Sequence, residues 1–368
     1  YQVSTPDGNN GTHTIRYKYE NGLRHYGGRG CLGFLLTKTT DLLTNTVTEQ
    51  KYGFETAKCV LVPTNGYTYV KNKLVSSSKT TYELFENKKN SYVFNYLPVE
   101  IENRSYEYNT KQLIRHIINT MEYGDYGNVT KITSVDGDVT STTTNEYNDN
   151  TEKWYLGRLT KSVVKKVYNG YSETRTSTFE YDPGSGLLSA EEIEPSNKNF
   201  RHRKVYFRDG YGNIAESAVV PLNGKDSQRT TISSYDSQGR YVISETNSLG
   251  HIVSKTIDYN RGIVVSVTDA IGNVTEYEYD GFGNIKKESN SLSTTYSITG
   301  WSQGMEDAPE NSKYFSYSEK PGEPSVWVYF DRLGRSVRRV TENYNGTKKI
   351  YCDFVYNPKG QLVKKSEP

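Results

Sequence analysis

The residue types that carry out catalysis occur in this chain, but their spacing matches no catalytic motif. Neither the His-Glu-x-x-His pattern of a zinc protease nor the spacing of a hydrolase triad is present. Adjacent acids such as Glu191–Glu192 could pair as general acid and base, yet glycosidase carboxylates are defined by a distance in the fold. We therefore predict a protein that is not an enzyme and uses no cofactor. The scattered histidines are His13, His25, His116, His202 and His251.

The cysteines do not indicate a metal site or a redox centre. Cys31, Cys59 and Cys352 are widely spaced and form no Cys-x-x-Cys pair, so neither a zinc ribbon nor a redox dithiol is supported. No complete twelve-residue calcium loop occurs either. We predict three isolated, small, buried thiols. A disulfide between Cys31 and Cys59 is the alternative if the compartment is oxidising.

Three glycines near the N-terminus have the spacing of a dinucleotide-binding fingerprint, Gly28-x-Gly30-x-x-Gly33. That fingerprint needs a buried apolar strand before it and a helix after it, and this sequence offers neither. Glycine also allows two backbones to approach closely. We therefore interpret these glycines, together with Arg29, as a bulge or a corner in a sheet.

A short repeat between residues 235 and 284 indicates the secondary structure of the chain. Its glycines lie at 239, 250, 262, 272 and 283, in steps of 11, 12, 10 and 11 residues. Asp or Asn can bond the backbone of a turn, and Gly supplies a positive φ. Alternating sequence between turns predicts consecutive antiparallel hairpins. The turn residues that define the repeat are Tyr235, Asp236, Gly239, Gly250, Gly272, Asn273, Tyr279, Asp280, Gly283 and Asn284.

Looser copies of the unit, such as Tyr123–Val129 and Tyr356–Leu362, extend the array. We predict an all-β protein: an N-terminal β segment at 1–120, then an array of antiparallel hairpins at 121–368 with insertions near 137–180 and 289–325. Asp136-Gly137-Asp138 is predicted to be a hairpin turn. Residues 111–118 are predicted to be a strand or an irregular edge, with a short helix as the alternative.

Composition predicts a thin sheet. The apolar fraction is 34% and the mean hydropathy is −0.77, against about 45–50% apolar residues, glycine included, in typical domains. The 33 tyrosines favour strands and can pack a ring while the hydroxyl stays wet. A net charge of +2 without a basic block argues against nucleic-acid binding, and no apolar run is long enough for a membrane span. We expect the chain to be part of a larger protein.

The N-terminal third resembles a known family. Its motif residues are Gly28, Arg29, Gly30, Gly33 and Phe34, preceded by Tyr17-x-Tyr19 and followed by Asp41-x-x-Thr44. This order is similar to the segment just upstream of the YD repeats in bacterial RHS proteins, and it looks closest to the B component of insecticidal toxin complexes and to SpvB-like proteins. Trp154–Leu159 is similar to another landmark of that group, and the repeats from Tyr123 onward resemble YD repeats.

The resemblance implies that the hairpins form a curved or spiralling sheet, part of a secreted or cell-surface hollow shell. Such a shell encloses a toxic C-terminal polypeptide, and its other segments are a propeller and a closing region. The aspartates with which that closing region cleaves itself have no match here, so we predict no catalytic residue.

Two other functions remain open. Tyrosines with Trp154, Trp301 and Trp327 could form a carbohydrate-binding surface, although alternating tyrosines more simply pack against neighbouring hairpins. Exposed strands could instead form an adhesive cell-surface array.

Overall fold

The computed structural model describes residues 1–7, 11–87, 90–221, 228–343 and 345–367, and in these ranges the protein is all-β, with 27 strands and no helix. The first fourteen strands are β1 (Gln2–Pro6), β2 (Thr12–His25), β3 (Gly30–Asp41), β4 (Thr46–Glu55), β5 (Val60–Val70), β6 (Lys73–Asn87), β7 (Asn90–Tyr106), β8 (Leu113–Tyr123), β9 (Val129–Asp136), β10 (Val139–Asn150), β11 (Tyr155–Tyr168), β12 (Tyr171–Tyr181), β13 (Leu188–Ile193) and β14 (His202–Arg208). The remaining strands are β15 (Ile214–Pro221), β16 (Arg229–Tyr235), β17 (Val242–Thr246), β18 (Ile252–Asp258), β19 (Ile263–Thr268), β20 (Val274–Tyr279), β21 (Ile285–Ser289), β22 (Thr294–Trp301), β23 (Tyr314–Glu319), β24 (Val326–Phe330), β25 (Ser336–Glu342), β26 (Lys349–Tyr356) and β27 (Leu362–Lys365).

The chain divides into two compact units. The first consists mainly of Thr14–Val205, and the second mainly of Gln228–Pro368 with Ser4–His13 and Tyr206–Ala218. The predicted division at residue 120 rests on a change of sequence motif and stays a prediction.

The first unit is a series of long hairpins. Each strand from β2 to β13 pairs antiparallel with the next one along the chain. The longest, β7, has 17 residues. Gly137 and Asp138 form the predicted turn between β9 and β10, with Asp136 paired to Val139. Residues from Leu113 onward form β8, so the strand interpretation of this segment is confirmed and the helix alternative is wrong.

The second unit repeats the same pairing with shorter strands. Each strand from β16 to β26 pairs antiparallel with its successor. The register shifts at regular places, between Ser234 and Tyr235, between Thr256 and Ile257, and between Glu278 and Tyr279. An array of consecutive antiparallel hairpins, as the sequence predicts, is therefore confirmed. It begins earlier in the chain than the YD-like motifs do.

Few side chains are buried. In the described part of the chain the apolar ones are Val62, Ala190, Ala218, Ile257, Tyr329, Val337 and Val340. Tyr329, Val337 and Val340 form one cluster, covered by Met305 and Ala308 from the segment between β22 and β23. Most other strand residues are half-buried, as expected from the low apolar content.

The cysteines correct one prediction. All three are free thiols, and none is buried: Cys31 is exposed, while Cys59 and Cys352 are half-buried. Cys31 lies opposite Arg24 where the register of β2 and β3 shifts. Irregular backbone at such a shift turns side chains away from the regular alternation. The sequence pattern alone therefore gave the wrong burial for Cys31.

In the ranges that the structure describes, no helix is long and apolar enough to cross a membrane.

Candidate functional site

The repeat turns are the most regular sites of the molecule, and Asp280–Asn284 shows their geometry. The backbone N–H of Gly283 donates to the carbonyl of Asp280 at 3.2 Å, and the N–H of Asp280 donates to the carbonyl of Asn284 at 2.9 Å. Closing both bonds requires a left-handed residue, and Gly283 has φ +88°. Glycine adopts this conformation without the steric cost of a Cβ.

The carboxylate of Asp280 holds the turn from inside. Its Oδ1 accepts the N–H of Phe282 at 2.8 Å and the N–H of Asn284 at 2.9 Å, while Oδ2 accepts the Asn284 side-chain amide at 2.9 Å. The order Asp-x-x-Gly-Asn is thus a complete hydrogen-bonding unit. The same bonds recur around Asp269 with Asn273.

Variants of the turn keep the acceptor at its first position. Asn247 uses its amide oxygen to accept the N–H groups of Leu249 and His251, at 2.9 and 3.1 Å. Asp236, whose turn has Arg240 in place of Asn, accepts the N–H groups of Arg240 and Tyr241. Gly239, Gly250 and Gly272 all have positive φ, as Gly283 does. The turns at Asn247, Asp269 and Asp280 thus share one geometry, and the turn at Asp236 is one residue longer, because the N–H of Asp236 donates to the carbonyl of Tyr241.

These hydrogen bonds favour the ionised carboxylates. The side chain and then the backbone of Asn284 donate to Asp280 and lower its pKa, and Asn273 does the same for Asp269. For Asp236 the largest cause is the N–H of Tyr241, which lowers the pKa against the opposing effect of burial. Each carboxylate thus carries negative charge into its turn.

The repeat tyrosines bridge strands where the ladder stops. The β19–β20 ladder ends at the pair Ser266–Glu276. Beyond that pair, the hydroxyl of Tyr279 donates to the carbonyl of Val264 at 2.6 Å. The tyrosine therefore replaces a ladder hydrogen bond with a side-chain one.

The same offset appears elsewhere in the chain. The β7–β8 ladder ends at Glu100–Thr120, and Tyr123 donates to the carbonyl of Pro98. Tyr181 likewise donates to Leu159, two residues before the pair Lys161–Thr178. Tyr235 donates to the carbonyl of Ile214 at 3.2 Å. The predicted packing of tyrosines against neighbouring hairpins therefore includes a hydrogen bond that sequence reasoning missed.

Some turns also contact a later turn along the chain. The hydroxyl of Tyr211 donates to the carbonyl of Ser237, and the side-chain amide of Asn213 donates to the carbonyl of Gly239 at 2.7 Å. Arg261 donates to the carbonyl of Asp280 at 2.9 Å. In the sequence, these contacts correspond to a Tyr, Asn or Arg within or beside one turn and a carbonyl in a turn 19 to 26 residues later.

The family motif uses the same device. Arg29 donates from its guanidinium to the carbonyl of Lys58 in a later turn. Gly28, Gly30 and Gly33 all have positive φ, and the register of β2 and β3 shifts opposite Gly33. The bulge interpretation is therefore confirmed for Gly33, whereas Gly28 lies in the turn between β2 and β3 and Gly30 begins β3.

Phe34 completes the motif by covering a glycine. It lies directly opposite Gly22 in the neighbouring strand, and its ring centroid is 5.0 Å from that of Tyr19. An aromatic ring across from glycine shields backbone that would otherwise face water.

The tryptophans divide into two groups. Trp327 is half-buried with its ring centroid 4.8 Å from that of Tyr317. Trp154 and Trp301 are 73% and 80% exposed. Packing therefore accounts for Trp327, while Trp154 and Trp301 present their rings to solvent.

Among the residues with described positions, no group of three or more His, Cys, Asp or Glu side chains is arranged to hold a metal ion.

Comparison with known proteins supports the motif-based resemblance. The RHS repeat family model matches residues 261–295, which contain the turns at Gly262, Gly272 and Gly283. The chain carries an RHS repeat. No curated protein sequence matches it significantly.

Solved structures share the fold over nearly the whole chain. The crystal structure of TcdB2-TccC3 is similar with a TM-score of 0.70 and 10% identity, over 96% of this chain and 28% of that one. The crystal structure of TcdB2-TccC3-Cdc42 is similar with a TM-score of 0.73 and 10% identity, over 97% of this chain and 30% of that one. This chain thus spans less than a third of the length of those chains. The resemblance to RHS and toxin-complex B-component proteins is confirmed for repeat and fold.

Proposed function

We propose that this chain is a structural, non-enzymatic wall segment of a secreted bacterial shell of the RHS or toxin-complex type, which encloses a toxic polypeptide for delivery. The observation that carries the proposal is the combination of hairpin after hairpin, joined by bridging tyrosines and turn-to-turn bonds, with a fold shared over nearly the whole chain with TcdB2-TccC3. Bonds such as that from Arg261 to Asp280 join one turn to a later one, so the array resists separation of its hairpins.

The surface chemistry of the strands suits a wall that does not grip its contents. Oppositely charged residues stand directly across from each other, as in Lys38–Glu49 at 2.8 Å and Lys287–Glu278 at 3.0 Å. Such pairs contribute about 0.2–1 kcal/mol each. These pairs also matter for function. Because each charge is already paired with an opposite one on the sheet, the surface attracts an unfolded chain of either charge only weakly.

The remaining partners follow from the length relationship. Because the chain spans 28–30% of the chains it resembles, a closed shell needs further wall. In the proposed arrangement, a propeller and a closing RHS region supply it, and the toxic polypeptide lies inside.

The test is cryo-electron microscopy of the complete gene product, combined with limited proteolysis. The expected result is a particle with a low-density interior and a polypeptide that resists protease until denaturant opens the wall. A particle whose interior is filled by ordered core, or a product in which every segment is equally cleavable, would overturn the proposal.

A further inference from the structure

The segment 302–313 between β22 and β23 is built differently from the other turns. Met305 and Ala308 pack on the buried Tyr329–Val337–Val340 cluster. Asp307 accepts hydrogen bonds from Lys349 at 2.6 Å and from Tyr351 at 2.7 Å. One side of this segment is therefore fixed to strands β24–β26.

The two ends of the segment are fixed as well. The N–H of Ser302 donates to the carbonyl of Lys313, whose own N–H donates to the carbonyl of Phe330 at 2.7 Å. The buried hydroxyls of Ser302 and Ser312 are hydrogen-bonded at 2.9 Å. Binding sites held on rigid supports lose little entropy when a ligand arrives.

The other side of the segment lines an open cavity of about 530 Å³. This volume lies within the range of about 300–1,000 Å³ usual for small-molecule sites. The lining of this cavity includes Trp301, Gln303, Glu310 and Lys313, and all four residues are exposed. Within the described part of the chain, the side chains of Gln303, Glu310 and Lys313 make no hydrogen bond or ion pair.

We propose that this cavity binds a saccharide, with the ring of Trp301 stacked on one face of a sugar and Gln303, Glu310 and Lys313 bonding its hydroxyls. The inference goes beyond the wall function. The ring face of Trp301 is negative in its quadrupole and attracts the C–H groups of a pyranose face. Sugar hydroxyls both donate and accept, so they match an amide, a carboxylate and an ammonium group at once.

A purely apolar ligand fits this cavity poorly, because it would cover three polar side chains without bonding them. A nucleic acid fits poorly because Glu310 would face its phosphates. Trp154 provides the matched control: it is 73% exposed, close to the 80% of Trp301, but it does not line the cavity.

The experiment uses NMR to measure saturation transfer from the full chain to the methyl glycosides of mannose, galactose, N-acetylglucosamine and N-acetylgalactosamine. The glycoside that shows the strongest transfer is then titrated by calorimetry to obtain its Kd. We expect transfer to at least one glycoside, a Kd that rises about tenfold or more in Trp301→Ala, a smaller rise in Gln303→Ala and no change in Trp154→Ala. Thermal melting checks that each variant is folded. The absence of transfer to all four glycosides at millimolar concentration would overturn the inference. Binding that is unchanged in both Trp301→Ala and Gln303→Ala would also overturn it, as would binding that Trp154→Ala weakens as much as Trp301→Ala does.

Discussion

The hydroxyl of Tyr279 donates a 2.6 Å hydrogen bond to the carbonyl of Val264. Val264 lies outside the ladder between the two strands, two residues from its last pair, Ser266–Glu276. The register of β20 with the following strand, β21, shifts at the same place, between Glu278 and Tyr279. A phenol is long enough to reach across the gap, whereas Phe has no donor. The tyrosine of the YD motif is thus a bridge at the end of the hairpin.

Replacing Tyr279 with Phe should destabilise its hairpin by about 0.5–1.5 kcal/mol, because the Val264 carbonyl loses its donor. Arrays of this kind open locally, so hydrogen exchange of peptides covering 263–279 is the appropriate measurement. Tyr277→Phe is the control, since the Tyr277 hydroxyl makes no hydrogen bond in the described ranges and lies on the same strand. Equal protection in Tyr279→Phe and Tyr277→Phe would contradict the bridging role.

The turn at Asp280–Asn284 contains two glycines that differ in backbone conformation. Gly283 has φ +88°, while Gly281 lies outside the left-handed region, and a Cβ at either position would meet nothing within 4 Å. A steric clash of the new methyl group therefore cannot explain a difference between the two alanine variants. Gly283→Ala should destabilise the turn by about 1 kcal/mol or more, and Gly281→Ala should be neutral or slightly stabilising. Thermal melting and exchange of residues 274–289 test this pair, and a result in which both variants melt alike would contradict the assigned turn geometry.

Contact between the turn of Tyr211 and the turn of Gly239 predicts coupling at Gly239. A Cβ there would lie 2.5 Å from the ring of Tyr211, whereas a Cβ at Gly272 would meet nothing. Both glycines have positive φ, so Gly239→Ala should cost more than Gly272→Ala.

The excess should disappear when the ring is removed. In a double-mutant cycle, Tyr211→Ala should relieve part of the cost of Gly239→Ala and leave the cost of Gly272→Ala unchanged. Additivity at both positions would show that the two turns are independent in solution.

The sequence predicts the hairpin array because each turn is closed within five residues. Asp280, Gly283 and Asn284 make their bonds with one another, so local pattern suffices to find them. The bulge at Gly33 and the turn at Gly137 are predicted for the same reason.

The contacts between turns could not be predicted from local pattern. Tyr211 and Ser237 are 26 residues apart, and Arg29 and Lys58 are 29 apart. Their proximity depends on how many residues each intervening strand contains, and boundaries of strands are poorly fixed by sequence. The burial of the segment at 302–313 against Tyr329 also depends on tertiary packing, as does the exposure of Cys31.

The turn carboxylates predict a loss of stability in acid. In the folded state the donors of Asn284 lower the pKa of Asp280 below its ordinary value of 3.8. The stabilisation is therefore fully present above about pH 3.8 and is lost as the pH falls through the lower, folded-state pKa. Asp280→Asn removes the titrating group but keeps an acceptor, as Asn357 does in its own turn.

Hydrogen exchange or proteolysis of residues 274–289 should therefore show wild type losing protection as the pH falls below about 3.8, with a smaller loss in Asp280→Asn. The reciprocal variant, Asn357→Asp, should gain acid sensitivity at 349–365, because its oxygen already accepts the N–H groups of Lys359 and Gln361 at 3.1 and 3.0 Å. Donors that stabilise an anion in one turn should stabilise it in the other. Identical acid profiles for wild type, Asp280→Asn and Asn357→Asp would mean that acid acts elsewhere in the chain and that the turn carboxylates are not preferentially held in their ionised form.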